Sequence, residues 1–291
     1  MKKLLIIGAF LLVAMTSFAQ LTITQALSPT TGLKVGDTIT VKYTLTKGTE
    51  VNTAVTVVEC PAVKVLSIRL FAMDEYGNTQ VLKEVSTQLK DKHLSKKIDV
   101  AKKDDHIAAL NAIIAKFGKI DILVNNAGLA AGLSTIQDGN LLHWEQMIDT
   151  NIKGLLYTTK FISNLMIENK KGHIINIGSI AGKEVYANGN VYCATKHAVD
   201  ALNKAMRIDL LPHQIKVTAI NPGMVETEFS IVRFEGDEDR AKKVYAGLQP
   251  LHPNDVAETI YWVASRPAHV NINDLVIMPS IQASATNVIR K

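Results

Sequence analysis

"IDILVNNAG", residues 120–128, is a short, nearly continuous apolar run that stops at two asparagines, an alanine and a glycine. Three more runs of this kind follow it: "HIINI" (173–177), "IKVTAI" (215–220) and "DLVIM" (274–278). Runs so short and so uniformly apolar fit strands buried on both faces. Helical stretches lie between them, near 141–169, 192–211 and 254–265. Another precedes the first run. In "DDHIAALNAIIAKFG" (104–118), Ile107, Leu110, Ile113, Ile114 and Phe117 recur at helical spacing, and Gly118 is a stop signal. Strand–helix alternation predicts an α/β fold built on a parallel sheet with both faces covered.

The chain has a different texture before this region. In "TITVKYTLT" (38–46), apolar Ile39, Val41, Tyr43 and Leu45 alternate with polar Thr40, Lys42, Thr44 and Thr46, the pattern of a half-buried strand. Residues 21–60 read as β-rich and resemble the opening strands of an exported β-sandwich module. Residues 61–85 are ambiguous. "MKKLLIIGAFLLVAMTSFAQ" (1–20) has a basic start, an apolar run from Leu4 to Met15 and small residues before Gln20. That is the shape of a secretory signal peptide, and the run is too short to span a bilayer. The competing reading is a first buried strand. Three segments are therefore expected: signal-like 1–20, atypical β-rich 21–85, and an α/β domain over 86–291.

Composition narrows the function classes. There are 32 basic and 27 acidic residues, a net charge of +5, and the basic ones are scattered. Nucleic acid is not an expected partner. Two cysteines, Cys60 and Cys193, are too few for a disulfide framework or a four-ligand zinc site. The eight histidines form no H-E-x-x-H motif, and no metal is expected.

Each apolar run ends in polar or glycine-containing sequence. "DILV" leads into Asn125, Asn126, Ala127 and Gly128; "HIINIG" leads into Ser179; "KVTAIN" leads into Pro222 and Gly223. In an open parallel sheet, ligands bind outside the carboxyl ends of the strands, so three such turns converge on one crevice. A Tyr-x-x-x-Lys pair follows Ser179: Tyr192 and Lys196. Tyr43 and Lys47 have the same spacing. In a strand, residues four apart are separated by about 13 Å, so Tyr43 and Lys47 cannot touch. In a helix, they are neighbours with Cβ atoms about 5–6 Å apart, so Tyr192 and Lys196 can cooperate. A nearby ammonium favours the phenolate and lowers the tyrosine pKa toward working pH. That suits proton transfer to a carbonyl receiving hydride, with a serine hydroxyl bonding its oxygen.

"NNAG" (125–128), "DTNIKG" (149–154), "IGSIAG" (177–182), "YCATK" (192–196) and "NPGMVETEF" (221–229) together resemble the short-chain dehydrogenase/reductase family. Ser179 and Tyr192 stand 13 positions apart, as that family expects. The resemblance covers about residues 86–291 and is nearest the branch acting on serine and related 3-hydroxy acids. It implies a Rossmann-like doubly wound sheet and NADP as cofactor, with NAD the alternative. It implies a small hydroxy acid or alcohol as substrate. Tyr192 would be the general acid/base. Lys196 would lower its pKa and hold the nicotinamide ribose, and Ser179 would orient the substrate oxygen. Asn151 would hold a relay water. Asn125, Ala127 and Gly128 would line the cofactor edge, Asp99 would contact the adenine, and Pro222, Gly223 and Thr227 would lie along the nicotinamide side. "SIVRFEGDEDRAKKVYAG" (230–247) would be a lid. The helices at 141–169 and 192–211 carry more apolar positions than one sheet face needs, which fits a homo-oligomer, dimer or tetramer.

One part of the family's pattern is missing. Its glycine-rich T-G-x-x-x-G-x-G turn does not occur. "TTGLKVGDT" (30–38) offers Thr31, Gly32 and Gly36, but Thr38 replaces the last glycine. Arg69 is a weak candidate for the 2′-phosphate contact. Two readings follow: an NAD(P)-dependent oxidoreductase, or a non-catalytic interaction protein carrying a dehydrogenase remnant. The cofactor argues for the cytoplasm and the signal-like start for export.

Overall fold

The structure, a computed structural model, describes residues 38–44, 50–56 and 99–291. The signal-like residues, the glycines of "TTGLKVGDT", Lys47, Arg69 and the expected boundary at 85/86 lie outside the described residues. The chain divides into two compact units, Met1–Ala62 and Val63–Lys291. In the first unit, β1 (Thr38–Thr44) pairs antiparallel with β2 (Glu50–Thr56), Thr38 facing Thr56 and Thr44 facing Glu50. β1 falls within the alternating run 38–46.

Among the described residues, the second unit is built around four parallel strands: β3 (Ile122–Asn125), β4 (His173–Ile177), β5 (Lys216–Pro222) and β6 (Asp274–Ile277), adjacent in that order. Each coincides with one of the four apolar runs. α1 (Lys103–Phe117) precedes β3. α2 (Leu141–Ile148) and α3 (Leu155–Glu168) connect β3 to β4, and α4 (Asn190–Asp209) connects β4 to β5. α5 (Phe229–Arg233), α6 (Glu238–Tyr245) and α7 (Pro253–Ala264) lie between β5 and β6.

Strand side chains alternate, so consecutive apolar residues feed two different cores. On one face, Leu123, Ile174 and Val217 pack with Ile113 of α1, Ile162 and Met166 of α3, and Val199 and Met206 of α4. On the other, Ile175 and Ile220 pack with Val263 of α7, joined by the partly buried Ile122 and Val124. Helices therefore cover both faces, as the uniformly apolar strands require. Each fully buried aliphatic side chain contributes roughly 1.5–3 kcal/mol.

One expected helix is interrupted. Residues 141–168 form α2 and α3 joined by a π-helical turn, Asp149–Gly154, which is the "DTNIKG" motif. Its Asn151 is 1% exposed. The Asn151 side chain is held by groups outside its own helix, and a Cβ on Gly154 would stand 3.1 Å from the Val100 carbonyl oxygen. Both contacts place the turn close against its surroundings, and widened π turns frequently mark functional positions.

Parallel register brings the strand ends to one edge. Asn125 lies opposite Asn176, Ile177 opposite Ile220, and Pro222 opposite Ile277. The loops that leave this edge carry the candidate residues.

Candidate active site

α4 supplies the central pair. Its buried positions include Tyr192, Lys196, Val199, Asn203 and Met206, a repeat of four and three that keeps one stripe against the sheet. Tyr192 is 9% exposed and Lys196 is 7% exposed. The first turns of α4 lie beside the turn that follows β4. There Ser179 caps a short 3₁₀ turn, Ile180–Gly182, by accepting from the Ala181 N–H at 3.1 Å. The serine proton stays available, and the Ser179 hydroxyl lies close enough to the Tyr192 phenol to pull its pKa down.

Lys196 reaches back to the end of β4 and donates from Nζ to the Ile177 carbonyl oxygen at 3.0 Å. Its ammonium lies 6.0 Å from the centre of the Tyr192 ring. Burial brings its pKa down to about 8. The Tyr192 phenol moves the other way. Burial raises it above the ordinary tyrosine value, Tyr186 adds to this, and Ser179 and Arg233 pull it back. The sequence leads one to expect Lys196 to lower this phenol. In the protein by itself desolvation dominates, and the cation acting on the phenol is Arg233.

Gly128, in the loop leaving β3, completes the cluster. A Cβ there would lie 3.3 Å from both Lys196 Nζ and Asn151 Oδ1. Asn151 binds this loop on both sides of one residue: Oδ1 accepts from the Leu129 N–H at 2.9 Å and Nδ2 donates to the Leu129 carbonyl at 2.8 Å. The other Nδ2 hydrogen goes to Thr195 Oγ1 at 3.0 Å, on α4. Asn151 therefore fastens the β3 loop to the helix that carries Tyr192 and Lys196.

Ser179, Tyr192, Lys196, Asn151 and Gly128 thus come together. Ala127 packs against Val100 and Ala109 beside them. The Asn125 side chain goes elsewhere. Its Nδ2 donates to Thr159 Oγ1 at 3.0 Å and Asn176 Oδ1 at 2.8 Å, and Asn176 donates on to Asn203 at 2.9 Å. This buried chain of amides ties β3, β4 and α4 together. Pro222 ends β5 and is buried, and the Gly223 N–H donates to Ile277 O at 2.8 Å. Thr227 is exposed and caps α5 by accepting from the Phe229 N–H at 3.1 Å. Asp99 is an exposed turn residue whose Oδ1 accepts from the Ala101 N–H at 3.0 Å.

The arrangement has the parts of a proton-transfer site at a strand-end crevice. A family profile described as short chain dehydrogenase matches residues 61–238. The chain belongs to the short-chain dehydrogenase family. Its chemistry is the oxidoreductase chemistry of that family, at a CH–OH group. An NADP-dependent 3-hydroxy acid dehydrogenase YdfG of Shigella flexneri is 46% identical over 205 residues, which is 70% of this chain and 83% of that protein. An NADP-dependent 3-hydroxy acid dehydrogenase of Schizosaccharomyces pombe is 37% identical over 78% of this chain and 86% of its own length. Among solved structures, the closed form of a serine dehydrogenase complexed with NADP+ shares 45% identity with a TM-score of 0.69, covering 74% of this chain and 87% of that one.

Arg233 was not singled out in the sequence. It lies within the stretch read as a lid, "SIVRFEGDEDRAKKVYAG" (230–247), where nothing local separates it from the charged residues around it. In the short-chain dehydrogenase structure it closes over the site. Its Nε donates to the Gly132 carbonyl at 3.1 Å, and its guanidinium lies 5.8 Å from the Tyr192 ring centre. Phe229 meets the same ring edge-on at 5.6 Å.

Proposed function

We propose that this protein transfers hydride between NADP and a small 3-hydroxy acid, with Tyr192 as the general acid/base. The observation that carries the reading is the Tyr192–Ser179–Lys196 cluster at the carboxyl edge of a parallel sheet. Kinship with NADP-dependent 3-hydroxy acid dehydrogenases supports the cofactor and the substrate class.

The residues present fit a dinucleotide's nicotinamide end. Lys196 is a buried ammonium held by one backbone carbonyl, and Gly128 lets the β3 loop pass closer to Lys196 and Asn151 than a side chain would comfortably allow. Lys196 would hold the ribose hydroxyls, and Ala127, Gly128, Pro222 and Gly223 would line the cofactor. NADP, when bound, supplies the hydride acceptor. Tyr192 gives its phenol proton to the carbonyl oxygen in reduction, and in oxidation its phenolate form, after losing that proton, takes the hydroxyl proton of the substrate. A phenol held protonated by burial is a proton donor at neutral pH. The Ser179 hydroxyl orients the substrate oxygen and bonds the charge that develops on it. Asn151 would hold a water that links Lys196 to solvent as a proton relay.

The half-exposed or exposed Leu141, Leu142, Ile148 and Leu156 on α2 and α3 support an interface between copies of the chain. Light scattering on purified protein tests this.

Fluorescence titration with NADPH tests the cofactor, and Tyr192→Phe tests the acid/base. Binding, with turnover lost in the variant and affinity nearly unchanged, is the expected result. No binding at millimolar cofactor would instead establish the non-catalytic reading.

A further inference from the structure

We propose that Arg233 recognises the substrate carboxylate, so that a hydroxy acid spans from the Tyr192 hydroxyl to the guanidinium. This rests on the oxidoreductase reading and names what sets its substrate class. Arg233 lines a small cleft open to solvent together with Tyr192, Ser134, Asn190, His143 and Trp144. The charges and polar groups around it are already committed. His143 Nε2 pairs with Glu235 at 2.9 Å. Asn190 donates to the Ser134 carbonyl at 2.8 Å and accepts from the Val191 N–H.

Arg233 differs. It is half-buried and makes no ion pair with any described residue. A guanidinium carries five N–H donors in a rigid fork. One goes to the Gly132 carbonyl at 3.1 Å, and the guanidinium lies close enough to Tyr186 to lower its phenol pKa against the rise that burial gives it. Among the described residues, the Gly132 carbonyl is the acceptor found for its side chain. The cation is held in place over the faces of Tyr186 and Tyr192, with ring centres 5.6 and 5.8 Å from its central carbon. A cation so oriented and left without a counter-charge beside the reacting phenol is complementary to a planar anion. In a 3-hydroxy acid the hydroxyl carbon lies two bonds from the carboxylate carbon, a separation matched to groups packed side by side.

The test compares 3-hydroxypropanoate with its neutral methyl ester, following NADP reduction by the wild type, Arg233→Gln and Arg233→Lys. Arg233→Gln is expected to lower kcat/KM for the acid roughly 10- to 100-fold more than for the ester, through KM, any loss shared by both substrates reporting the guanidinium's effect on the phenol. Arg233→Lys keeps the charge but loses the fork and falls between. Equal losses on acid and ester would show that Arg233 only props the Gly132 loop, and an unchanged acid KM would also overturn the proposal. Calorimetric titration of propanoate into protein and NADP supplies a readout that needs no turnover: binding to the wild type and none to Arg233→Gln is expected. No binding to the wild type would overturn the carboxylate assignment. Should the wild type oxidise neither compound, the oxidoreductase reading fails by itself and the titration still decides Arg233.

Discussion

The backbone carbonyl of Lys196 passes 2.6 Å from the point where a Cβ on Gly182 would stand. Helix α4 and the Ser179 turn therefore touch backbone to backbone, which is what brings the Ser179 hydroxyl to the phenol. Gly182→Ala forces the two apart, because the obstructing atom is backbone and cannot rotate away. A fall in kcat of about 10-fold or more is expected, in line with the sensitivity of reacting groups to small misplacements. Steady-state kinetics check it, with a melting curve to show that the variant is folded.

Lys196 titrates in the working range because it is buried. With its pKa down at about 8, the ammonium is present below that pH and lost above it. Free-enzyme groups appear in kcat/KM. That quantity, measured for NADP, is expected to fall as pH rises through about 8. Lys196→Met should remove this limb and most of the turnover together. A flat profile to pH 10 in the wild type would count against the role given to Lys196.

Asn176 is fully buried, accepting from Asn125 and donating to Asn203. Asn176→Leu fills the space but strands polar atoms on both neighbours. Leaving a buried polar atom unpaired costs about 1–3 kcal/mol, so a loss of about 2–4 kcal/mol is expected in urea unfolding. Asn176→Asp, which keeps the acceptor, should retain the Asn125 bond and lose the Asn203 one.

His173 begins β4, 3% exposed, with Nε2 on Thr218 Oγ1 at 2.8 Å and no partner for Nδ1. Burial, helped by the Lys216 charge, lowers its pKa to about 3. The unfolded chain binds a proton near pH 6.5 that the folded one refuses, so stability rises with pH across this window. Unfolding free energy should fall steadily as pH drops from about 6.5 toward 3, by a few kcal/mol in all. His173→Gln should flatten that slope. Urea melts at pH 4.5 and 7.5 make the comparison.

Much of the site was legible because its chemistry is local. Tyr192 and Lys196 are four apart on a helix whose buried stripe is visible in the sequence, and Ser179 follows an unbroken strand. The π turn was not legible. "DTNIKG" has ordinary helical spacing, and its widening depends on Asn151 reaching Leu129 and Thr195 in other elements. Asn125 shows the same limit. Its place at the end of β3 was readable, while its commitment to Thr159 and Asn176 was not, because periodicity states a residue's face and never its partner.

By itself the sequence determined the alternation of strands and helices, the parallel sheet and the tyrosine–lysine pair, since each follows from spacing along the chain, while the family rested on the resemblance of its motifs. The tertiary structure alone decided which cation faces the phenol. Arg233 reaches Tyr192 only because α5 folds back onto the loop at Gly132, and the direction of the phenol's shift depends on how completely the surrounding elements exclude water. Both are properties of packing between distant segments, which no local pattern encodes.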